Sequence, residues 1–320
     1  MSDVFARIRA SAARVATQAR SVRIDEPGLS ALCQRLAAEA APEPSSDPAQ
    51  RPFADPAHTL AFVVTLDAIN FGSGWFPHLR KPGGRSGYFT VATALRARFE
   101  AHGPWGSAAL QDLSPVECAR IFGQQDAGPA AQELMAHFAA ALGELGRFLD
   151  ERFGGRFEAL VAAAGGRAAA LVELLAQMPC YRDVARYADF EVPFYKRAQI
   201  TVSDLANAFA GAGPGRFEAR ARLTMFADNL VPHVLRCEGA LVYAPPLLAR
   251  IEAGQELASG SPEEVEIRAC GLHAVERCVA ELRRLGVETS AEALDHRLWF
   301  RGQRPDFKAR PRHRTRSVYY

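Results

Sequence analysis

The chain has 320 residues, 48% of them apolar and 23% charged, with a formal net charge of +2. This balance excludes a disordered chain and suits a soluble globular enzyme made of one large domain or two ordinary ones. The longest strongly apolar run, residues 60–66, is far shorter than the ~20 residues of a membrane span. Charge is unevenly placed: residues 297–320 hold eight Arg and Lys against Asp306 alone, a net of +7, leaving −5 for the rest.

In chain order, the first 23 residues are Arg-rich and nearly acid-free. They superficially resemble an organellar transit peptide but read more simply as an amphipathic first helix. Residues 42–56, rich in Pro, Ser and Asp, read as an exposed loop between an N-terminal helical arm (1–56) and the main body. Ser114-Pro115-Val116-Glu117 is a capping box with proline at the first helical position. A long helix is expected from about Pro129, with Leu134, Phe138, Leu142, Leu145 and Leu149 on its inner stripe. Gly154-Gly155 and Gly165-Gly166 punctuate the next region, and Pro179 closes a helix built on residues 171–178. Ala198, Val202, Leu205 and Phe209 define another. Ser261-Pro262-Glu263-Glu264 repeats the capping grammar and opens the clearest helix, where Val265, Ala269, Leu272, Val275, Val279 and Leu282 recur until Gly286. Strand signals are confined to residues 189–194 and 239–243. The expectation is a mainly α fold: one compact helical domain over 1–320, with at most a few short strands.

The six cysteines (33, 118, 180, 237, 270 and 278) contain no C-x-x-C pair. Neither a zinc ribbon nor a disulfide scaffold is supported, and a reducing cytosol fits best. Cys270 and Cys278 fall on one apolar helix pattern as small core residues. No dinucleotide, P-loop, zincin or nucleophile-elbow motif is present. Gly83-Gly84-Arg85-Ser86-Gly87 reads as a turn rather than an anion cradle.

The stronger signal is a set of ionisable groups inside apolar runs. Asp228 is the only charged residue between Leu223 and Pro232. A carboxylate there is a helix cap, a proton holder or a catalytic group, because burying it otherwise is expensive. Pro232 places it on an irregular turn ahead of a helix starting near residue 232. Asp67 has the same character. Asp295 sits beside His296 and Trp299 and reads equally as a solvated helix face. Only three of the 38 basic residues are lysines, Lys81, Lys196 and Lys308, and a retained lysine suits a need for a compact ammonium. Lys196 and Arg197 open a predicted helix, where a phosphate can bind. The closing run from Arg310 to Tyr320 either tracks a nucleic-acid backbone or folds back so that its cations serve one phosphate. Its apolar last residues, Val318-Tyr319-Tyr320, favour docking.

Five blocks in order resemble the queuosine salvage family. They are Leu66-Asp67-Ala68-Ile69-Asn70-Phe71, Phe194-Tyr195-Lys196-Arg197-Ala198-Gln199-Ile200, Leu223-Thr224-Met225-Phe226-Ala227-Asp228, Glu264-Val265-Glu266-Ile267-Arg268, and His313-Arg314-Thr315-Arg316-Ser317-Val318-Tyr319-Tyr320. The resemblance runs from about Ser21-Val22-Arg23-Ile24-Asp25 to Tyr320. Because the family's domain begins near residue 5, it also removes the transit-peptide reading. It implies a fold similar to helical DNA glycosylases and hydrolysis of queuosine 5′-phosphate to release queuine.

The resemblance implies a queuine site at Phe226 and Asp228, with Asp228 as the catalytic carboxylate and Asp295 and His296 continuing the base pocket. Such a carboxylate stabilises the positive charge that builds on ribose and can orient the attacking water. His296 is the expected donor to the leaving base, and Phe226 and Trp299 are available for stacking. Asn70 joins the substrate site, and Lys196 with Tyr88 or Arg197 would hold the 5′-phosphate. No cofactor, metal, membrane or stable nucleic-acid complex is expected. The competing readings are an RNA- or tRNA-binding module using the basic C-terminal segment, or a DNA-lesion glycosylase.

Overall fold

A computed structural model describes residues 3–39 and 51–320. In chain order the helices begin with α1 (Val4–Gln18), α2 (Glu26–Ala38), α3 (Pro56–Ala68), α4 (Gly87–His102), α5 (Ser107–Gln111), α6 (Pro115–Ile121), α7 (Pro129–Phe153), α8 (Phe157–Ala163) and α9 (Ala168–Leu175). They continue with α10 (Lys196–Ala208), α11 (Leu230–Cys237), α12 (Pro245–Glu252), α13 (Pro262–Arg284), α14 (Ala291–Gly302) and α15 (Pro305–Lys308). Four short strands, β1 (Val22–Ile24), β2 (Val184–Tyr187), β3 (Phe190–Pro193) and β4 (Leu241–Tyr243), and several short 3₁₀ turns accompany them. The fold is mainly α. Two compact units divide the chain: the first takes Met1–Ser45, Asp183–Lys196 and Ala221–Arg316, the second Ser46–Arg182, Arg197–Arg220 and Ser317–Tyr320. Most of the loop expected at 42–56 lies outside the described residues.

The first unit is built around α13, whose side chains are buried from Glu264 through Ala269 and on to Leu282. A helix buried on nearly every side needs neighbours all round it, and α1, α2, α11 and α14 supply them. Each large apolar side chain hidden there contributes ~1.5–3 kcal/mol. Ser261 Oγ accepts the Glu264 N–H at 3.4 Å, while the Glu264 carboxylate takes the Gly260 N–H at 3.1 Å. The second half of the expected capping box is therefore displaced by one residue. Cys270 and Cys278 are core thiols on this helix, as their spacing suggests.

Two antiparallel pairs finish the first unit. β1 pairs with β4 in the register Val22↔Tyr243, Arg23↔Val242, Ile24↔Leu241. β2 and β3 form a hairpin closed at Tyr187↔Phe190, with Ala188 at φ +50° in the turn. Glu266 ties the N-terminal arm down: its Oε2 accepts the N–H groups of Arg20, Ser21 and Val22 at 3.1, 2.6 and 3.1 Å. Its Oε1 accepts the Tyr187 hydroxyl at 2.7 Å. Close packing of α11 on α13 needs Gly271, since a Cβ there would lie 2.9 Å from Pro232 Cγ.

The cations near the C-terminus are largely engaged inside the first unit. Arg297 and Arg301 pair with Glu39 at 3.2 and 3.0 Å, and Arg301 also holds Glu238 at 2.6 Å. Arg304 reaches Asp306 at 3.1 Å and Arg316 reaches Glu256 at 3.2 Å. The segment is folded back onto this unit, with His313 and Thr315 buried within it.

In the second unit, α7 is the central helix. The expected stripe of Leu134, Phe138, Leu142, Leu145 and Leu149 is fully buried against α5, α6, α3 and α8. Ser114 and Glu117 close a complete capping box at the start of α6. Edge-to-face contacts join Phe71 to Phe138 and Phe138 to Phe122, with centroids 5.2 and 5.3 Å apart. Tyr320 is buried, and its carbonyl accepts the Gly72 N–H at 3.1 Å. The helix expected over 171–178 runs instead from Ala168 to Leu175. It is followed by a 3₁₀ turn at Pro179–Tyr181, because a proline at 179 disfavours α geometry just before it.

Candidate active site

Residues 223–227 are buried and belong to neither a helix nor a strand. At Asp228 the chain turns and α11 starts at Leu230, two residues earlier than expected. The reason is that Pro232 falls in the first helical turn, where a missing N–H costs nothing. Asp228 Oδ1 accepts the Leu230 and Val231 N–H groups at 2.8 and 3.2 Å. Asp228 is thus a cap, yet it stays half-buried at the edge of an apolar wall, and the cap uses one carboxylate oxygen alone.

The residues before it are held equally firmly. Asp295 Oδ1 accepts the Phe226 N–H at 2.9 Å, and Arg268 Nε donates to Ala227 O at 2.9 Å. Asp295, on α14, is only 3% exposed, so the solvated-face alternative does not describe it. Burial first, then the nearby charge of Asp228, holds its carboxyl well above the usual carboxylate range. The Phe226 hydrogen bond and the Lys196 ammonium pull the other way without reversing this. His296 follows on α14, its ring 5.8 Å from that of Phe226. Trp299 is one turn beyond Asp295 on the same helix face and packs edge-on to Phe300 at 5.2 Å.

Lys196 is 6% exposed, and its N–H donates to Asp183 Oδ2 at 3.2 Å. Arg312 is a cation that the sequence does not distinguish from its neighbours in the basic run. Burial lowers its pKa, and the Asp228 carboxylate opposes that. The backbone around it is pinned: Arg236 Nη2 donates to Pro311 O at 2.7 Å, Asn229 Nδ2 to His313 O at 3.3 Å and Leu257 N to Arg314 O at 2.8 Å. The first unit therefore holds Phe226, Asp228, Asp295, His296, Trp299 and Lys196, with Arg312 added.

The other three expected residues belong to the second unit. Asn70 is half-buried just after α3, its N–H donating to Asp67 O at 3.3 Å. Tyr88 is half-buried on α4, its ring 5.4 Å from that of Phe89. Arg197 is 1% exposed. Its guanidinium donates to the carbonyls of Ala68 and Cys180 and lies over the rings of Phe71 and Tyr181, 4.8 and 4.6 Å from their centroids. These contacts make it a framework side chain joining α3, α10 and the turn at Pro179–Tyr181. Among the described residues, no group of three or more His, Cys, Asp and Glu could hold a metal ion, and no helix is long and apolar enough to cross a membrane.

A family model described as queuosine salvage protein matches residues 50–320. The chain belongs to the queuosine salvage protein family. A relative from Sphaerobacter thermophilus is 38% identical over 96% of this chain and 95% of its own length. A Mus musculus relative is 34% identical and one from Bos taurus 32% identical, each over 98% of both chains. All three carry the name queuosine 5′-phosphate N-glycosylase/hydrolase. Within this queuosine salvage chain, the Asp228 turn, Asp295 and Lys196 all fall inside the matched span.

Proposed function

We propose that the chain hydrolyses the N-glycosidic bond of queuosine 5′-phosphate, releasing queuine and ribose 5-phosphate. The observation that carries this reading is the Asp228–Asp295 pair: one half-buried carboxylate on a fixed turn beside one buried acid whose pKa is raised by burial and by the charge of its neighbour. The names of the full-length relatives supply the substrate.

Cleavage of the C1′–N bond leaves positive charge on the ribose and puts the bonding electrons on the base. Asp228 stabilises that charge electrostatically and accepts a proton from the attacking water, whose oxygen bonds to C1′. The departing base takes up a proton. His296 stands beside Phe226 as the donor, while neutral Asp295 offers its own O–H to the base. Phe226 and Trp299 supply aromatic faces. Lys196 binds the 5′-phosphate, whose remote binding energy helps to position C1′ against Asp228. A reducing, cytosol-like compartment suits the six free thiols, five of them buried.

Mass-spectrometric detection of queuine and ribose 5-phosphate after incubation with queuosine 5′-phosphate tests the assignment. Stoichiometric release of both supports it. Intact nucleotide after prolonged incubation with folded protein contradicts it.

A further inference from the structure

The block Glu264–Arg268 marks the family resemblance yet takes no part in the mechanism above. Arg268 nevertheless reaches the residues around the site. It is 2% exposed and uses its guanidinium in three directions. Nε donates to Ala227 O at 2.9 Å, Nη2 to Asp183 Oδ2 at 2.6 Å, and Nη1 faces Glu264 Oε1 at 3.5 Å. The guanidinium carbon also lies 3.9 Å from the centroid of the Phe194 ring.

Asp183 serves a second turn at the same time. Its Oδ2 accepts the Lys196 N–H at 3.2 Å, and its carbonyl accepts the N–H groups of Phe194 and Tyr195 at 2.9 and 3.3 Å. Tyr195 is held there at φ +47°, a backbone conformation that a bulky residue adopts only when its surroundings impose it. One buried ion pair therefore grips the peptide leading into Asp228 and the backbone N–H of Lys196.

We propose that Arg268 and Asp183 are positioning residues that set the placement of Asp228 relative to Lys196, and so of the carboxylate relative to a bound sugar phosphate. The proposal rests on the reading that Asp228 faces the sugar. A planar fork is required for it: a lysine ammonium is a point donor and cannot hold the Ala227 carbonyl and the Asp183 carboxylate in fixed directions. The desolvation cost of this buried charge makes it a poor choice for stability alone, and an apolar pair of similar volume would serve packing as well.

The test uses Arg268→Lys and Asp183→Asn in the full chain, with kcat and KM for queuosine 5′-phosphate, inhibition by queuine and thermal unfolding measured together. The expected result is kcat ~10–100-fold lower in folded protein, as a small misplacement of the reacting groups causes, with queuine inhibition unchanged. In an Asp228→Asn background, Arg268→Lys should slow the residual reaction no further. A kcat near wild type in both folded variants overturns the proposal. So does an equal loss from Arg268→Lys in the wild-type and Asp228→Asn backgrounds, because the arginine then acts independently of Asp228. If Arg268→Lys does not fold, Asp183→Asn decides by the same readings. Full activity in Asp228→Asn alone defeats the underlying reading, and this proposal with it.

Discussion

Asp228 and Asp295 are anchored to one three-residue segment: Asp295 Oδ1 takes the Phe226 N–H at 2.9 Å, while Asp228 turns the chain two residues later and caps α11. The charge of Asp228 reinforces the burial of Asp295, and together they keep the second carboxyl protonated well above the usual range. Of the two acids anchored to this segment, it is Asp295 whose pKa is pushed up, by burial and by the charge of Asp228, the kind of asymmetry that acid and base chemistry uses.

The raised Asp295 pKa predicts a stability slope. The native protein holds a proton that the unfolded chain releases once pH passes about 3.9. This contribution is complete below that pH and is lost as pH rises toward the folded pKa. Asp295→Asn keeps an oxygen acceptor for the Phe226 N–H and has no proton to lose. Urea denaturation of both proteins from pH 4 to 8 should show wild type weakening relative to the variant, by at most about 1.4 kcal/mol per pH unit. A difference independent of pH contradicts the buried neutral acid.

His233 has the opposite sign. Burial pushes its pKa down to about 4, and its Nε2–H donates to Phe307 O at 2.9 Å. Between pH 6.5 and about 4 the unfolded state binds the extra proton, so this stability is complete above 6.5 and is lost as pH falls. His233→Gln, which retains a donor for the carbonyl, should flatten the acid side of the profile. An unchanged acid limb would show that the ring is not held neutral.

Glu266 collects three backbone N–H groups and one hydroxyl. Glu266→Gln replaces a charged acceptor with a neutral one and introduces an unwanted donor. A loss of about 2 kcal/mol is expected in denaturant unfolding, together with faster tryptic cleavage around Arg20. Unchanged cleavage would mean that the arm is held by α1 packing alone.

Lys196→Gln should raise KM for queuosine 5′-phosphate ~10–100-fold, the equivalent of losing one hydrogen bond to a charged group. Turnover of the unphosphorylated nucleoside should stay unchanged. Equal losses on both compounds would remove the lysine from phosphate binding.

The helical class and the stripes of α7 and α13 are readable in sequence because period and caps agree there. β1 and β2 are not, since three or four residues show no alternation long enough to register, and their partners are remote or follow a tight turn. In the site, Asp228 stands out as the one acid in an apolar run, whereas Asp295, beside His296 and Arg297, reads equally as a solvated face until the fold buries it. Arg312 is hidden in a run of arginines that differ only in what the fold places beside them. Arg197 shows the reverse: its position beside Lys196 suggests an anion, whereas backbone carbonyls and two aromatic rings take up its guanidinium.

The central claim is that the Asp228 carboxylate stabilises the sugar as its bond to the base breaks. Asp228→Asn retains an oxygen to cap Leu230 and Val231, so the fold should survive while the charge is lost. Single-turnover release of queuine from queuosine 5′-phosphate should fall ~1,000-fold, the scale of losing one electrostatic stabiliser in a preorganised site, with thermal unfolding close to wild type. A folded variant that releases queuine at a rate near wild type would contradict the account.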